Sequence, residues 1–120
     1  MDAAAKTSAI ANVLLDADLN PTMIETQGIE QLTAEDLKLA RKNGNTIKLL
    51  CKGVKEKNSI RCSVKPTIIP LSHPFAFING TSSVLSIETK LMGKITIIEH
   101  DPEIEQTAYG IFSDMIQLLK

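Results

Sequence analysis

Asp2 and Lys6 are the first residues whose types and spacing suit proton chemistry. A carboxylate and an amine four residues apart share one face of a helix, one turn from each other. On a wheel of about 100° per residue, Val13, Ala17 and Ile10 fall within about 40° of Lys6, while Ser8 and Asn12 lie on the other side. The wheel therefore predicts Lys6 in the middle of an apolar face, with Asp2 one turn before it. A free lysine is too basic to accept a proton at neutral pH. Burial in an apolar cleft disfavours the ammonium form and makes the amine usable as a proton carrier. A carboxylate pushes the other way, so Asp2 reads as an orienting group or as a partner for a substrate ammonium. The same spacing also suits a plain surface ion pair with Lys6 reaching into water. The pattern leaves both readings open.

Other polar residues carry weaker signals. His73 precedes Pro74 in a proline-rich loop, where a histidine braces the backbone more often than it transfers protons. Asn79-Gly80 reads as a turn that also allows close approach of a ligand to the backbone. His73, Asn79 and Gly80 are thus the loop positions suited to substrate contact, whereas His100, beside Asp101, reads as a surface residue. Cys51 and Cys62 form no CxxC pair, and with His73 and His100 they reach no metal-ligand spacing, so no metal is expected. No nucleophile elbow or Ser-His-Asp order is present. The glycines (Gly28, Gly44, Gly53, Gly80, Gly93 and Gly110) are never closer than nine residues, which excludes GxGxxG and Walker loops. Alone, the chain is expected to bind no dinucleotide.

These residues need a scaffold, and the composition is that of one globular domain. The chain has 120 residues, of which 43% are apolar; such a length buries roughly two-thirds of its unfolded surface. Thirteen basic side chains against fourteen acidic ones leave a net charge of −1, too little to gather phosphates. Phe75, Phe77, Tyr109 and Phe112 are the only aromatics, so no base-stacking platform exists and nucleic acid is excluded as a partner. No apolar run approaches the ~18 residues of a membrane span. Asp2 and Lys6 interrupt the start, where a signal peptide would be apolar. A cytoplasmic location with reduced cysteines is the expectation.

A first helix is expected from Ala3 to about Ala17, capped by Asp2 and ending before Pro21. After a connector at 24–32, Thr33 caps a second helix. Glu35 and Asp36 suit its positive end, Leu32 and Leu37 stand as a hydrophobic staple, and Arg41, Lys42 and Gly44 close it. Ile47, Leu49 and Cys51 then alternate with Lys48, Leu50 and Lys52, and Ile60, Cys62 and Val64 with Arg61, Ser63 and Lys65. One apolar set is odd-numbered and the other even, so a shared face needs an even loop. Lys57-Asn58 is the natural two-residue turn, with Asn58 at positive φ, and both cysteines become small core residues on neighbouring strands. Residues 66–81, with Pro66, Pro70, Pro74 and Asn79-Gly80, read as an extended, shaped loop. Strands at 82–89 and 94–100 join near Met92-Gly93. A last helix runs from about Pro102 or Glu103 to Leu119, with Ala108, Ile111, Phe112, Met115 and Leu119 as one apolar stripe that seeks a partner. The fold class is α+β: a mostly antiparallel sheet of about four strands with three helices, in one domain over residues 1–120.

Together these segments resemble the C-terminal, substrate-binding part of homoserine dehydrogenase over nearly all 120 residues. Asp2-Ala3-Ala4-Ala5-Lys6 resembles the family's Asp-x-x-x-Lys catalytic helix. Gly28-Ile29 and Leu32-Thr33-Ala34-Glu35-Asp36 are similar to its next segment, and Ile47-Lys48-Leu49-Leu50 to the following strand. Pro66-Thr67 through His73-Pro74, Ile78-Asn79-Gly80 and Gln106-Thr107-Ala108 follow in the family's order. The resemblance implies NAD(P)-dependent interconversion of homoserine and aspartate 4-semialdehyde, a reaction of threonine and methionine biosynthesis. It implies that Lys6 moves the proton of the C4 hydroxyl, that Asp2 holds the lysine or the substrate, and that Thr107 and Ala108 lie near the cofactor. It further implies a small amino-acid substrate, a homodimer, and a Rossmann domain that binds NAD or NADP and is not within this sequence. Two positions depart from the family pattern: His100-Asp101-Pro102-Glu103-Ile104 replaces a Gly-Ala-Gly stretch, and Tyr109 replaces a small polar residue. The alternative reading is a dimerising or regulatory module that kept the fold without the chemistry.

Overall fold

The computed structural model describes residues 2–120. Its chain divides into two compact units, one ending at Ser72 and the other spanning His73–Lys120.

In the first unit an alanine-rich stretch, the best helix-forming composition, makes helix α1 (Asp2–Leu14). Asp2 lies inside its first turn rather than before it. The helix stops at Leu14, short of the expected Ala17, because Asp16 takes a left-handed φ of +57°. The Ala17 amide then reaches back to the Ala11 carbonyl at 3.4 Å. The returning chain is held by Asn12, whose side chain accepts from the Leu19 amide at 2.8 Å and donates to the Leu19 carbonyl at 3.0 Å. The buried face of α1 is Ala4, Thr7, Ser8 and Ala11, not the face centred on Lys6, and Val13 is 82% exposed. Small side chains let this helix approach the strands closely. Its two buried hydroxyls are satisfied inside the helix, Thr7 donating to Ala3 O at 2.7 Å and Ser8 to Ala5 O at 2.9 Å. Bulk on the opposite flank therefore does not decide which face is buried.

A three-stranded sheet lies under α1, in the order β1 (Glu25–Thr26), β3 (Ile60–Pro70), β2 (Asn45–Lys55). Strand β1 pairs parallel with β3 at Ser63 and Val64, inside the stretch expected to be only a connector. Ala4, Ala11, Ile24, Cys62 and Val64 form the core, with Leu15, Leu19 and Ile60 packed against it. Helix α2 (Ala34–Lys42) has the expected cap: Asp36 N–H donates to Thr33 Oγ1 at 3.2 Å and Thr33 N–H to the Asp36 carboxylate at 2.9 Å.

The antiparallel β2–β3 pairs are symmetric about the Lys57-Asn58 peptide, from Lys55 opposite Ile60 to Asn45 opposite Pro70. The expected register and shared face hold, but Asn58 is not among the residues at positive φ. Cys62 is buried as expected; Cys51 is exposed, because it lies on the outer strand opposite Val64. Residues 66–70 are strand rather than loop. Glu56 N–H bonds Ser59 O (2.8 Å), Leu71 N–H bonds Gly44 O (2.9 Å) and Gln27 N–H bonds Val64 O (2.7 Å). These bonds fix the alternation of the ladder: even residues of β2 bond β3, and the nitrogens of Val64, Pro66, Ile68 and Pro70 point away from β2. Pro66 and Pro70 therefore sit where no ladder N–H is needed, which is how two prolines fit in one strand.

The second unit pairs β4 (Ser83–Thr89) with β5 (Gly93–Glu99) as an antiparallel hairpin, with Gly93 at φ +66° ending its turn. Helix α3 (Ile104–Leu118) follows, and Ile111, Phe112 and Met115 of its apolar stripe are each 60% exposed. The α+β class is as expected, with five strands in two sheets among the described residues where about four in one were expected. Among the described residues, no helix is long and apolar enough to cross a membrane.

Candidate functional site

Helix α1 carries the candidate pair Asp2 and Lys6. Lys6 Nζ lies 3.0 Å from Asp2 Oδ2, and the two side chains are 72% and 82% exposed. The wheel's burial of Lys6 is thus absent, and the geometry is that of the exposed i,i+4 ion pair, the other reading the spacing left open. The helix sends its small residues to the sheet, and the Asp2–Lys6 edge faces away from it. The pair is nonetheless firmly positioned. Ala4 and Ala11 anchor α1 in the core, and Gly53 leaves room for its end. A Cβ on Gly53 would come within 3.3 Å of Leu15 Cδ1 and 3.4 Å of Cys62 Sγ. What α1 presents is a rigidly mounted, solvated ammonium with a carboxylate one turn away, flanked by exposed Ile10 and Val13. Such a pair can exchange a proton with a hydroxyl and hold a cationic group, once a covering surface excludes water.

The remaining candidate residues lie in the second unit. His73 caps the short 3-10 turn Pro74–Phe77: its Nδ1 accepts the Phe75 amide at 3.1 Å, and its ring meets that of Phe75 edge-on, with centroids 4.9 Å apart. Nδ1 is thereby committed to the backbone and is an acceptor there. The carbonyl of Asn79 accepts from the Ser82 amide at 3.1 Å, and Gly80 sits at φ +61°. Nothing lies within 4 Å of where a Gly80 Cβ would be, so the backbone angle is what calls for glycine.

Thr107 lies in the first turn of α3 and lines an open cleft of about 470 Å³ with Thr81, Glu99, Pro102, Glu103 and Gln106. Ala108 follows it on the helix. Two features missed in the sequence shape this end. Asp101, at φ +45°, donates its amide to Ser82 Oγ at 2.8 Å, and the Glu103 amide is taken by Gln106 Oε1 at 2.7 Å. A Glu-x-x-Gln spacing was the available signal for the second.

A further cleft of about 480 Å³ in the first unit, beside α2, was also missed; Gln27, Gln31, Asn43, Asn45, Ile47 and Pro66 are among the residues that line it. Asp36 also lines it, and the Thr33 backbone and then its hydroxyl hold the Asp36 carboxyl below its usual range, with slight opposition from burial. Burial pushes the Cys62 thiol up. Among the described residues, no three His, Cys, Asp or Glu side chains cluster as metal ligands.

Comparison with known proteins gives the family of the chain. The family model of homoserine dehydrogenase matches residues 1–116. An NAD(+)-dependent homoserine dehydrogenase of Pseudomonas canavaninivorans is 30% identical over 98% of the chain, and a homoserine dehydrogenase of Methanocaldococcus jannaschii is 31% identical over 98%. The crystal structure of a homoserine dehydrogenase from Thiobacillus denitrificans superimposes on 96% of the chain with a TM-score of 0.85 at 28% identity. The chain spans 34% of the length of each of the two curated relatives and 27% of that crystal chain. The chain belongs to the homoserine dehydrogenase family.

Proposed function

We propose that these residues are the substrate-binding and catalytic part of a cytoplasmic, homodimeric oxidoreductase that interconverts homoserine and aspartate 4-semialdehyde. The observation that carries this reading is the Asp2–Lys6 pair, 3.0 Å apart on the solvent side of α1, in a chain matched by the family model almost from end to end. In the oxidative direction Lys6 takes the proton of the C4 hydroxyl as that carbon becomes an aldehyde, and in reduction it returns it. Asp2 orients Lys6 or holds the substrate ammonium. His73, Asn79 and Gly80 shape the loop beside the substrate.

NAD or NADP supplies the redox exchange from a Rossmann domain outside this sequence. The start of α3 does not fit a dinucleotide's pyrophosphate: the Glu103 amide is taken by Gln106, and Glu99 and Glu103 line the adjoining cleft. The contribution of Thr107 and Ala108 is therefore limited to contacts away from the phosphates. The same acidic, self-capped start of α3 favours the second reading, a dimerising or regulatory module without chemistry.

The deciding experiment assays the polypeptide that carries this chain together with its nucleotide-binding domain, following NADH or NADPH formation at saturating homoserine. Turnover supports the catalytic reading. A folded protein that binds the cofactor without homoserine-dependent turnover supports the module.

A further inference from the structure

The net charge of −1 hides an uneven distribution. Residues 48–65 hold six of the thirteen basic side chains and one of the fourteen acidic ones. Strand register decides where these charges go. Cys62 and Val64 take the face of β3 that packs under α1, so Arg61, Ser63 and Lys65 lie on the opposite face. Their β2 partners Val54, Lys52 and Leu50 share that face. Each pair brings one cation, and the cation changes strand from one pair to the next: Lys65 on β3, Lys52 on β2, Arg61 on β3. Lys48, opposite Thr67, continues the alternation. Successive pairs are two residues apart, about 6.8 Å along the strand.

Lys52 and Lys65 are exposed and form no ion pair among the described residues, and the Arg61 side chain is 76% exposed. Two acids lie near. Glu56 accepts from Arg61 Nη2 at 2.6 Å, which leaves the other N–H groups of the guanidinium. Glu25 of β1, opposite Ser63, shares the face and borders the basic strip on its far side from β2. Val54, 40% exposed, and the half-buried Leu50 lie between the cations.

We propose that this face docks an extended acidic segment of a partner polypeptide, with acidic side chains at alternate positions. Side chains on one face of an extended chain repeat every two residues, which is the spacing of the pairs, so acids at i, i+2 and i+4 meet Lys65, Lys52 and Arg61 in turn. Glutamate suits the face because its methylenes cover Leu50 and Val54. Residues 45–70 contain no aromatic to stack a base, and the hairpin tip, Glu56-Lys57-Asn58-Ser59, has no apolar side chain to enter a bilayer. Exposed ion pairs are individually weak and screened by salt, so the docking depends on the three cations acting together. This inference rests on the strand register and stands whether or not Lys6 is catalytic.

Fluorescence anisotropy with the polypeptide that carries this chain tests it, using two labelled peptides of equal composition and charge: Thr-Glu-Thr-Glu-Thr-Glu-Thr and Thr-Thr-Glu-Glu-Glu-Thr-Thr. An extended chain turns only two of three consecutive acids to one face, so at low salt the clustered peptide should bind roughly 1.4–5-fold more weakly, the loss of one exposed pair. Lys52→Ser combined with Lys65→Ser removes two pairs and should weaken the alternating peptide by roughly 2–30-fold, with an unchanged far-UV circular dichroism spectrum. If that double variant fails to fold, the comparison of the two peptides decides. No binding of the alternating peptide at low salt, equal binding of the two peptides, an affinity unchanged in the folded double variant, or tighter binding of an oligothymidylate or of phosphatidylglycerol vesicles overturns the proposal.

Discussion

The end of α1 gives a prediction whose size can be worked out. Asp16 holds φ at +57° just past the helix C-terminus. Two penalties meet there. A side chain in the left-handed region costs roughly 1–2 kcal/mol, less for aspartate, and an anion near the negative end of a helix dipole loses roughly 0.3–1 kcal/mol. Asp16→Asn keeps the tolerance for positive φ and removes only the charge, so it should stabilise the fold by roughly 0.3–1 kcal/mol. Asp16→Gly removes both penalties but adds freedom to the unfolded chain, which offsets roughly 0.4–1 kcal/mol; its net gain should be about 1 kcal/mol. Urea unfolding followed by circular dichroism measures these differences, with an unchanged slope confirming that only stability moved. The expected order is glycine, then asparagine, then wild type. If Asp16→Gly were less stable than wild type, the left-handed turn would not be what ends α1.

Two further outcomes are expected. Titration calorimetry of the isolated chain with NAD or NADP should show no binding, since the sequence has no glycine loop to hold the pyrophosphate; micromolar affinity would refute this. Because Thr33 depresses the Asp36 carboxyl below its unfolded value, its capping contribution is fully present above that unfolded value and is lost as pH falls through the folded one. Acid titration of α2 stability should therefore decline over that window in the wild type and flatten in Asp36→Ala. An unchanged acid profile in the variant would mean that the cap is not formed in solution.

Local chemistry is the legible part of the sequence. The Thr33 cap and the staple positions around it name α2 because its start is decided within a few residues. The hairpin centre at Lys57-Asn58 follows from parity, which is also local. What is not legible depends on partners distant in sequence. Glu25-Thr26 has no strand pattern of its own and becomes a strand because Ser63 and Val64 offer an edge. Pro66 and Pro70 suggest a loop, and only the alternation of the ladder shows that their missing N–H groups are not needed there. The wheel around Lys6 weighs apolar bulk, whereas α1 packs by small size, through Ala4, Thr7, Ser8 and Ala11. Asp2 and Lys6 themselves stand out from spacing alone, and their side chains meet at 3.0 Å; their exposure is not visible in that spacing.

The central claim is that Lys6 carries the proton of the reaction, and its direct test is kcat of Lys6→Met in the polypeptide that includes the nucleotide-binding domain. The side chain is exposed and its one ion pair is on the surface, so the substitution should leave folding intact. Loss of a general acid–base group lowers turnover by ~10²–10⁴, and that loss is expected at saturating substrate, with Asp2→Asn falling less because it acts through position. A Lys6→Met enzyme that retains near-normal kcat would contradict the account and leave Asp2 and Lys6 as an ordinary surface ion pair.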